Sequence, residues 1–206
     1  MPLDWWVVIS ESKKVIDKAF LSKKRFFINV VSLDEQKMKA LISVYNKDNV
    51  IEFARALNEL GIEIIATEGT ARLILDNGIP VTKVSAFTGV QEMLGGKVKT
   101  LHPAIHVGIA TAAIGIVAVN LIPLDVSSEN TLDNMDIGGV AMLRSGIKNF
   151  VHVAVIVNPT KYNEIVEELR VTGQIARGTR LRLAQEASKY MVAYESKINK
   201  ILERME

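Results

Sequence analysis

The chain has 206 residues, 49% of them hydrophobic, and a net charge of +2 from 25 basic and 23 acidic side chains. That length suits one domain of ordinary size plus an extension, with enough burial to need no covalent staples. With no cysteine, disulfides, thiolate metal sites and a cysteine nucleophile are excluded, and the near balance of charge gives no reason to invoke nucleic acid. The three histidines, His102, His106 and His152, are too few for a typical zinc site without carboxylates, and no metal is expected.

Residues 1–38 read as an N-terminal extension and 39–206 as the main domain. The extension holds a short helical stretch, Ser10 to Phe20, a strand-like run, Phe26 to Leu33, and a basic stretch formed by Lys13, Lys14, Lys18, Lys23, Lys24 and Arg25. A solvated helix face explains that stretch more simply than a polyanion site. Trp5 to Val8 is apolar but lacks the basic start and long core of a signal peptide.

The main pattern opens with a buried strand over Ala40 to Tyr45. Apolar residues at helical spacing follow from Asp48 to Leu60, closed by Gly61. Ile62 to Ala66 is the next strand, and Thr70 is placed to cap a helix over Ala71 to Asn77. Val81 to Val84 is a weaker strand. Ile114 to Val119 and Val151 to Val157 are continuous, β-branched strands, Pro159 opens a helix through Arg170, and Thr179 to Arg204 is one long helix. The apolar run Ala104 to Leu124 is long enough for a membrane span. His106, Gly108, Gly115, Asn120 and Pro123 argue instead for a buried strand with its flanks. Strands alternating with helices predict an α/β sandwich around a mostly parallel sheet. Ligands then bind beyond the carboxyl ends of the strands, so Lys47, Thr67 to Thr70 and Asn120 are the residues to watch.

Three motifs stand out, each with a plain reading beside the functional one. Thr67-Glu68-Gly69-Thr70 is either a capped helix after a tight turn or a phosphate cradle at a helix start. Lys97-Val98-Lys99-Thr100-Leu101-His102-Pro103 is either a solvated loop or an anion site, since Lys97 and Lys99 face one way on extended chain. In Asp136-Ile137-Gly138-Gly139, Asp136 is either an N-cap or a ligand group, and the paired glycines allow close backbone approach. Lys148 falls at the C-terminal end of the helix that follows, where a cation is favoured anyway.

Taken together, these strings resemble the IMP cyclohydrolase domain of the bifunctional purine-biosynthesis protein that also carries AICAR transformylase. The likeness runs from about residue 39 to 204. It includes Ser43-Val44-Tyr45-Asn46-Lys47, Glu52 to Leu57, Thr67 to Ala71, Thr88 to Gly96, Lys97 to Pro103, Asn120-Leu121, Asp136 to Gly139, Leu143-Arg144 and Lys148-Asn149. The resemblance implies a methylglyoxal-synthase-like three-layer sandwich, a homodimer, a cytoplasmic setting, and no cofactor, nucleic acid or membrane. It implies a stand-alone cyclohydrolase that takes its purine ribonucleotide monophosphate substrate from a separate formylating enzyme. The same resemblance places Ser43, Lys47, Thr67, Gly69, Thr70, Lys97, Lys99 and Thr100 around the nucleotide, chiefly its phosphate. It sets Asn120, Asp136, Ile137 and Gly138 near the base, and assigns the chemistry to Lys99, Asp136 and Lys148.

The departures from the family pattern are specific. Tyr45 and Asn46 stand where the family has serine and aspartate, Lys97 replaces an arginine, and Ile122 replaces a tyrosine associated with catalysis. Glu68 brings a carboxylate toward the presumed phosphate, and the segment between Ile109 and Ile114 is short. Two functions therefore compete: an active, minimal cyclohydrolase, and a family member that binds a purine nucleotide without turnover. Methylglyoxal synthase itself is a weaker third reading, because its catalytic aspartate signature is missing.

Overall fold

A computed structural model describes residues 38–90, 100–125 and 131–205. The extension, its basic stretch and its two expected elements lie outside the described residues, as do Lys97 and Lys99.

The buried side chains are overwhelmingly apolar, and their alternation along the strands builds two separate cores. The strands are β1 (Lys39–Val44), β2 (Glu63–Ala66), β3 (Thr82–Lys83), β4 (Ile114–Asn120) and β5 (Ala154–Ile156). They form one sheet in the order β3-β2-β1-β4-β5, and every pairing is parallel. Because side chains alternate across a strand, Ala40, Ile42, Ile64, Ile116, Ala118 and Ile156 face one core. Leu41, Ile65, Val117, Val119 and Val155 face the other. Burial on both faces is why these strands read as continuous apolar runs.

The first core is roofed by α1 (Val50–Glu59), α2 (Glu68–Asp76) and α6 (Tyr162–Thr172). There Phe53 of α1 stacks on Tyr162 of α6, with ring centroids 4.1 Å apart. The second core is roofed by α4 (Pro103–Ala110), α5 (Gly138–Lys148) and α7 (Arg177–Leu202), with α3 (Val84–Thr88) contributing Val84. The result is the expected three-layer α/β/α sandwich. Gly61 follows α1 at φ 72°, a left-handed turn that releases the chain into β2.

Several expected elements change. The helix placed over Ala71 to Asn77 begins at Glu68, so Thr67 occupies the cap position and Thr70 lies inside the first turn. The weaker strand shrinks to two residues, the last to three, and Pro159 opens a 3-10 turn before α6. The apolar run 104–124 resolves into α4 and the wholly buried β4. No helix among the described residues is long and apolar enough to cross a membrane.

The chain order sets the site. From β1 the chain runs out to β2 and β3, then returns to place β4 on the other side of β1. The connections leaving β1 and β4 pack on opposite faces, so a crevice opens where those two strands end.

Candidate functional site

The end of β1 is held by β4 through one side chain. Asn120, the last residue of β4 and only 8% exposed, accepts the amide N–H of Tyr45 (2.6 Å) and of Asn46 (2.8 Å) at its Oδ1. Its Nδ2 donates to the Asn46 carbonyl at 3.1 Å. The Asn120 amide is thus committed to shaping the turn after β1. The turn is tightened further by Asn46, whose Oδ1 accepts the Asp48 N–H at 2.9 Å. Asn46 fits the position given to aspartate in the family because its short amide closes a local turn.

That turn delivers Lys47 into the crevice. Its ammonium donates to the Val44 carbonyl and, at 2.9 Å, to the Thr70 hydroxyl. The Thr67 hydroxyl donates to Ser43 Oγ at 3.3 Å. One cation and three hydroxyls, from β1, the turn after it and the start of α2, thus share one neighbourhood at a helix N-terminus, a combination suited to an anion. Added atoms at Gly69 would meet open space.

Two sequence departures take these places. Tyr45 is 59% exposed and lines the same crevice as Ser43, Lys47 and Thr67. Glu68 Oε1 accepts the Ser85 N–H at 3.2 Å, which turns that carboxylate toward α3.

The other end of the crevice comes from the connection between β4 and α5. Asp136 Oδ1 accepts the Gly139 N–H at 2.6 Å and Oδ2 accepts the Ile122 N–H at 3.3 Å. The cap position of α5 falls to Ile137, while Asp136, one residue before it, takes an amide of the first helical turn and lines the crevice with its carboxylate fixed. A Cβ at Gly139 would come within 2.6 Å of Leu121 Cδ2 and 2.8 Å of both Asp136 oxygens, so any larger residue displaces one of these side chains.

A cavity of about 490 Å³ joins the two ends. Of the residues expected at the site, Ser43, Lys47, Thr67, Thr100, Asn120, Asp136, Ile137 and Gly138 line it. Thr70 reaches it through Lys47, and Gly69 sits in the same helix turn. Asp133, Asn134 and Met135 also line it and were not anticipated. They belong to a 3-10 turn and the residue after it, which carry no periodicity to read.

Lys148 is not brought to this cavity. It ends α5, ten residues beyond Gly138, or about 15 Å along the axis. There it lines a separate groove with Arg144 and the α7 residues Glu195 and Lys200. Among the described residues no group of three or more His, Asp or Glu side chains could hold a metal ion.

A parallel α/β sheet with a cation and hydroxyls at one end of its crevice and a fixed carboxylate at the other places polar groups where such folds take small molecules. The chain belongs to the MGS-like domain family, whose model matches residues 49–182. It is 40% identical over 186 residues to the bifunctional purine biosynthesis protein PurH of Persephonella marina. That match covers 80% of this chain and 36% of the relative, so the chain spans about a third of the relative's length. A crystal structure of ForH matches 81% of this chain and 99% of its own, with 31% identity and a TM-score of 0.71. The PurH match relates the chain to a purine-biosynthesis protein.

Proposed function

We propose that the protein is an IMP cyclohydrolase, closing the ring of formylated aminoimidazole carboxamide ribotide to give IMP and water. The observation that carries this reading is the shared cavity, with the Lys47–Thr70–Thr67–Ser43 cluster at one end and Asp136 at the other. The two ends are built from strands two places apart in the sheet, β2 and β4, or about 10 Å. A phosphate held at the first end leaves the base end of the nucleotide facing the second.

The chemistry needs little beyond placement. The carboxamide nitrogen adds to the formyl carbon, the formyl oxygen takes up a proton, and water leaves as the ring double bond forms. Holding both groups of one molecule together supplies much of the rate. The Asp136 carboxylate, fixed by two amides, orients the carboxamide and accepts its proton. Lys99, next to Thr100 in sequence, is assigned to the developing charge on the formyl oxygen. Lys97 joins the phosphate contacts. The reading uses no cofactor and places the protein in the cytoplasm as a homodimer, supplied by a separate formylating enzyme.

A second reading, a nucleotide binder without turnover, draws on two observations. Ile122 presents no hydroxyl beside Asp136, and Lys148 lies in a different groove of its own chain. Following the absorbance change as formylated ribotide becomes IMP separates the two: closure above the uncatalysed rate supports the enzyme, and tight IMP binding without closure supports the binder.

A further inference from the structure

Two tyrosines of α7 reach the backbone of the crevice. The Tyr190 hydroxyl accepts the amide N–H of Leu121, the residue just past β4, at 2.9 Å. One turn further on, the Tyr194 hydroxyl accepts the amide N–H of Asp136 itself, also at 2.9 Å. Their spacing of four residues places both on one face of α7, and Tyr194 is 7% exposed.

The two acceptors serve neighbouring parts of one frame. Tyr190 holds Leu121, and the next residue, Ile122, donates to Asp136 Oδ2. Tyr194 holds Asp136 from behind, and Gly139 donates to Oδ1. Core tyrosines need some partner when buried. These two take amides on the two segments that meet at a single carboxylate, neither inside a helix or strand. Burial above all, with the nearby charge of Asp136 adding to it, keeps both phenols above the ordinary tyrosine range, so in neutral solution they remain hydroxyls.

We infer that Tyr190 and Tyr194 are positioning residues for Asp136, fixing the backbone on either side of its carboxylate so that it faces the crevice. Phenylalanine at either place keeps the ring and removes the acceptor. The freed segment then shifts, and displacement of a reacting group by an ångström costs up to about a hundredfold in rate.

The inference rests on the ring-closing reading for its kinetic test and on no reading of function for its spectroscopic one. In the full chain, Tyr194→Phe is expected to lower kcat by roughly 10- to 100-fold with KM within about twofold. Added to Asp136→Asn it should cost nothing more, because the tyrosine acts through the carboxylate. By NMR, Tyr194→Phe should speed hydrogen exchange at the Asp136 amide and at the Gly139 amide that the carboxylate holds. Tyr190→Phe should do the same at Leu121. Losses that add in the double variant, or a Tyr194→Phe protein of lowered Tm but unaltered kcat, would overturn the inference. Wild-type protein that closes no ring defeats the cyclohydrolase reading instead. Hydrogen exchange then decides alone, and an unaltered rate at the Gly139 amide in Tyr194→Phe rejects the positioning role.

Discussion

The ammonium of Lys47 donates to the Thr70 hydroxyl at 2.9 Å, joining the turn after β1 to the first turn of α2 across the crevice. The same ammonium also reaches the Val44 carbonyl, so the cation is held in place before any ligand arrives. A charge held there suits a phosphate that neutralises it. Charge-assisted hydrogen bonds are worth about 1.5–3 kcal/mol each, so Lys47→Met should weaken IMP binding by roughly 10- to 100-fold while leaving the weaker binding of inosine unaltered. Calorimetry with both ligands checks this. Equal losses for the two would mean that Lys47 shapes the turn rather than holding the phosphate.

Asn120 is expected to behave as a structural residue first. Its side chain serves two amides and a carbonyl of the β1 turn. Asn120→Ala leaves those groups without their partner in a buried place, at a cost of about 1–3 kcal/mol. Urea unfolding at pH 7 measures it, and a variant as stable as wild type would show that the turn holds itself.

Gly139→Ala tests how closely α5 approaches the carboxylate. The added methyl would sit 2.6 Å from Leu121 and 2.8 Å from the Asp136 oxygens. Overpacking of this kind costs roughly 1–3 kcal/mol, and here the cheapest relief is for the Asp136 side chain to move. The expected outcome is a lower melting temperature with a larger fall in turnover than in IMP affinity.

At high pH the weak point is Tyr162. Burial pushes its phenol from 10.0 up to about 12 in the folded chain. A group whose folded pKa is raised gives its full stability below the unfolded pKa and loses it as pH rises through the folded one. The loss therefore falls between about pH 10 and 12 and amounts to roughly 2–3 kcal/mol. Tyr162→Phe keeps the stack on Phe53 and has no proton to lose. Its unfolding free energy should stay near wild type at pH 7 and exceed it increasingly from pH 10 upward.

Much of this architecture was legible in the sequence, for physical reasons. β1 and β4 are buried on both faces, so they appear as unbroken apolar runs, and α1 shows its one buried stripe at helical spacing. The start of α4 was hidden because Pro103–Ala110 is apolar nearly throughout and offers no contrast between faces. Thr70 was read as a cap because threonine favours that place, yet its hydroxyl is engaged by Lys47 and Val44 from another strand. Such long-range partners leave no local trace. The pairing of Asp136 with Lys148 followed family strings, whereas an eleven-residue helix between them holds the two apart. Tyr190 and Tyr194 looked like ordinary helix residues, and only the fold shows which amides they meet.

The separation of Lys148 from Asp136 gives the homodimer a direct test. If Lys148 acts in ring closure, it acts on the crevice of another copy, since its own lies about 15 Å away along α5. Asp136→Asn and Lys148→Ala proteins, each nearly inactive, should then regain activity when mixed and refolded together, because half-sites from the two variants complete one another. No recovery would limit Lys148 to its own groove.

The central claim is tested most directly by recording absorbance while wild-type protein and Asp136→Asn act on the formylated ribotide. The account predicts slow but measurable closure by the wild type. It predicts a fall of roughly two orders of magnitude in Asp136→Asn, the scale on which general acid–base groups act, with IMP affinity largely kept. Wild-type protein that binds IMP tightly yet forms it no faster than buffer would contradict the account.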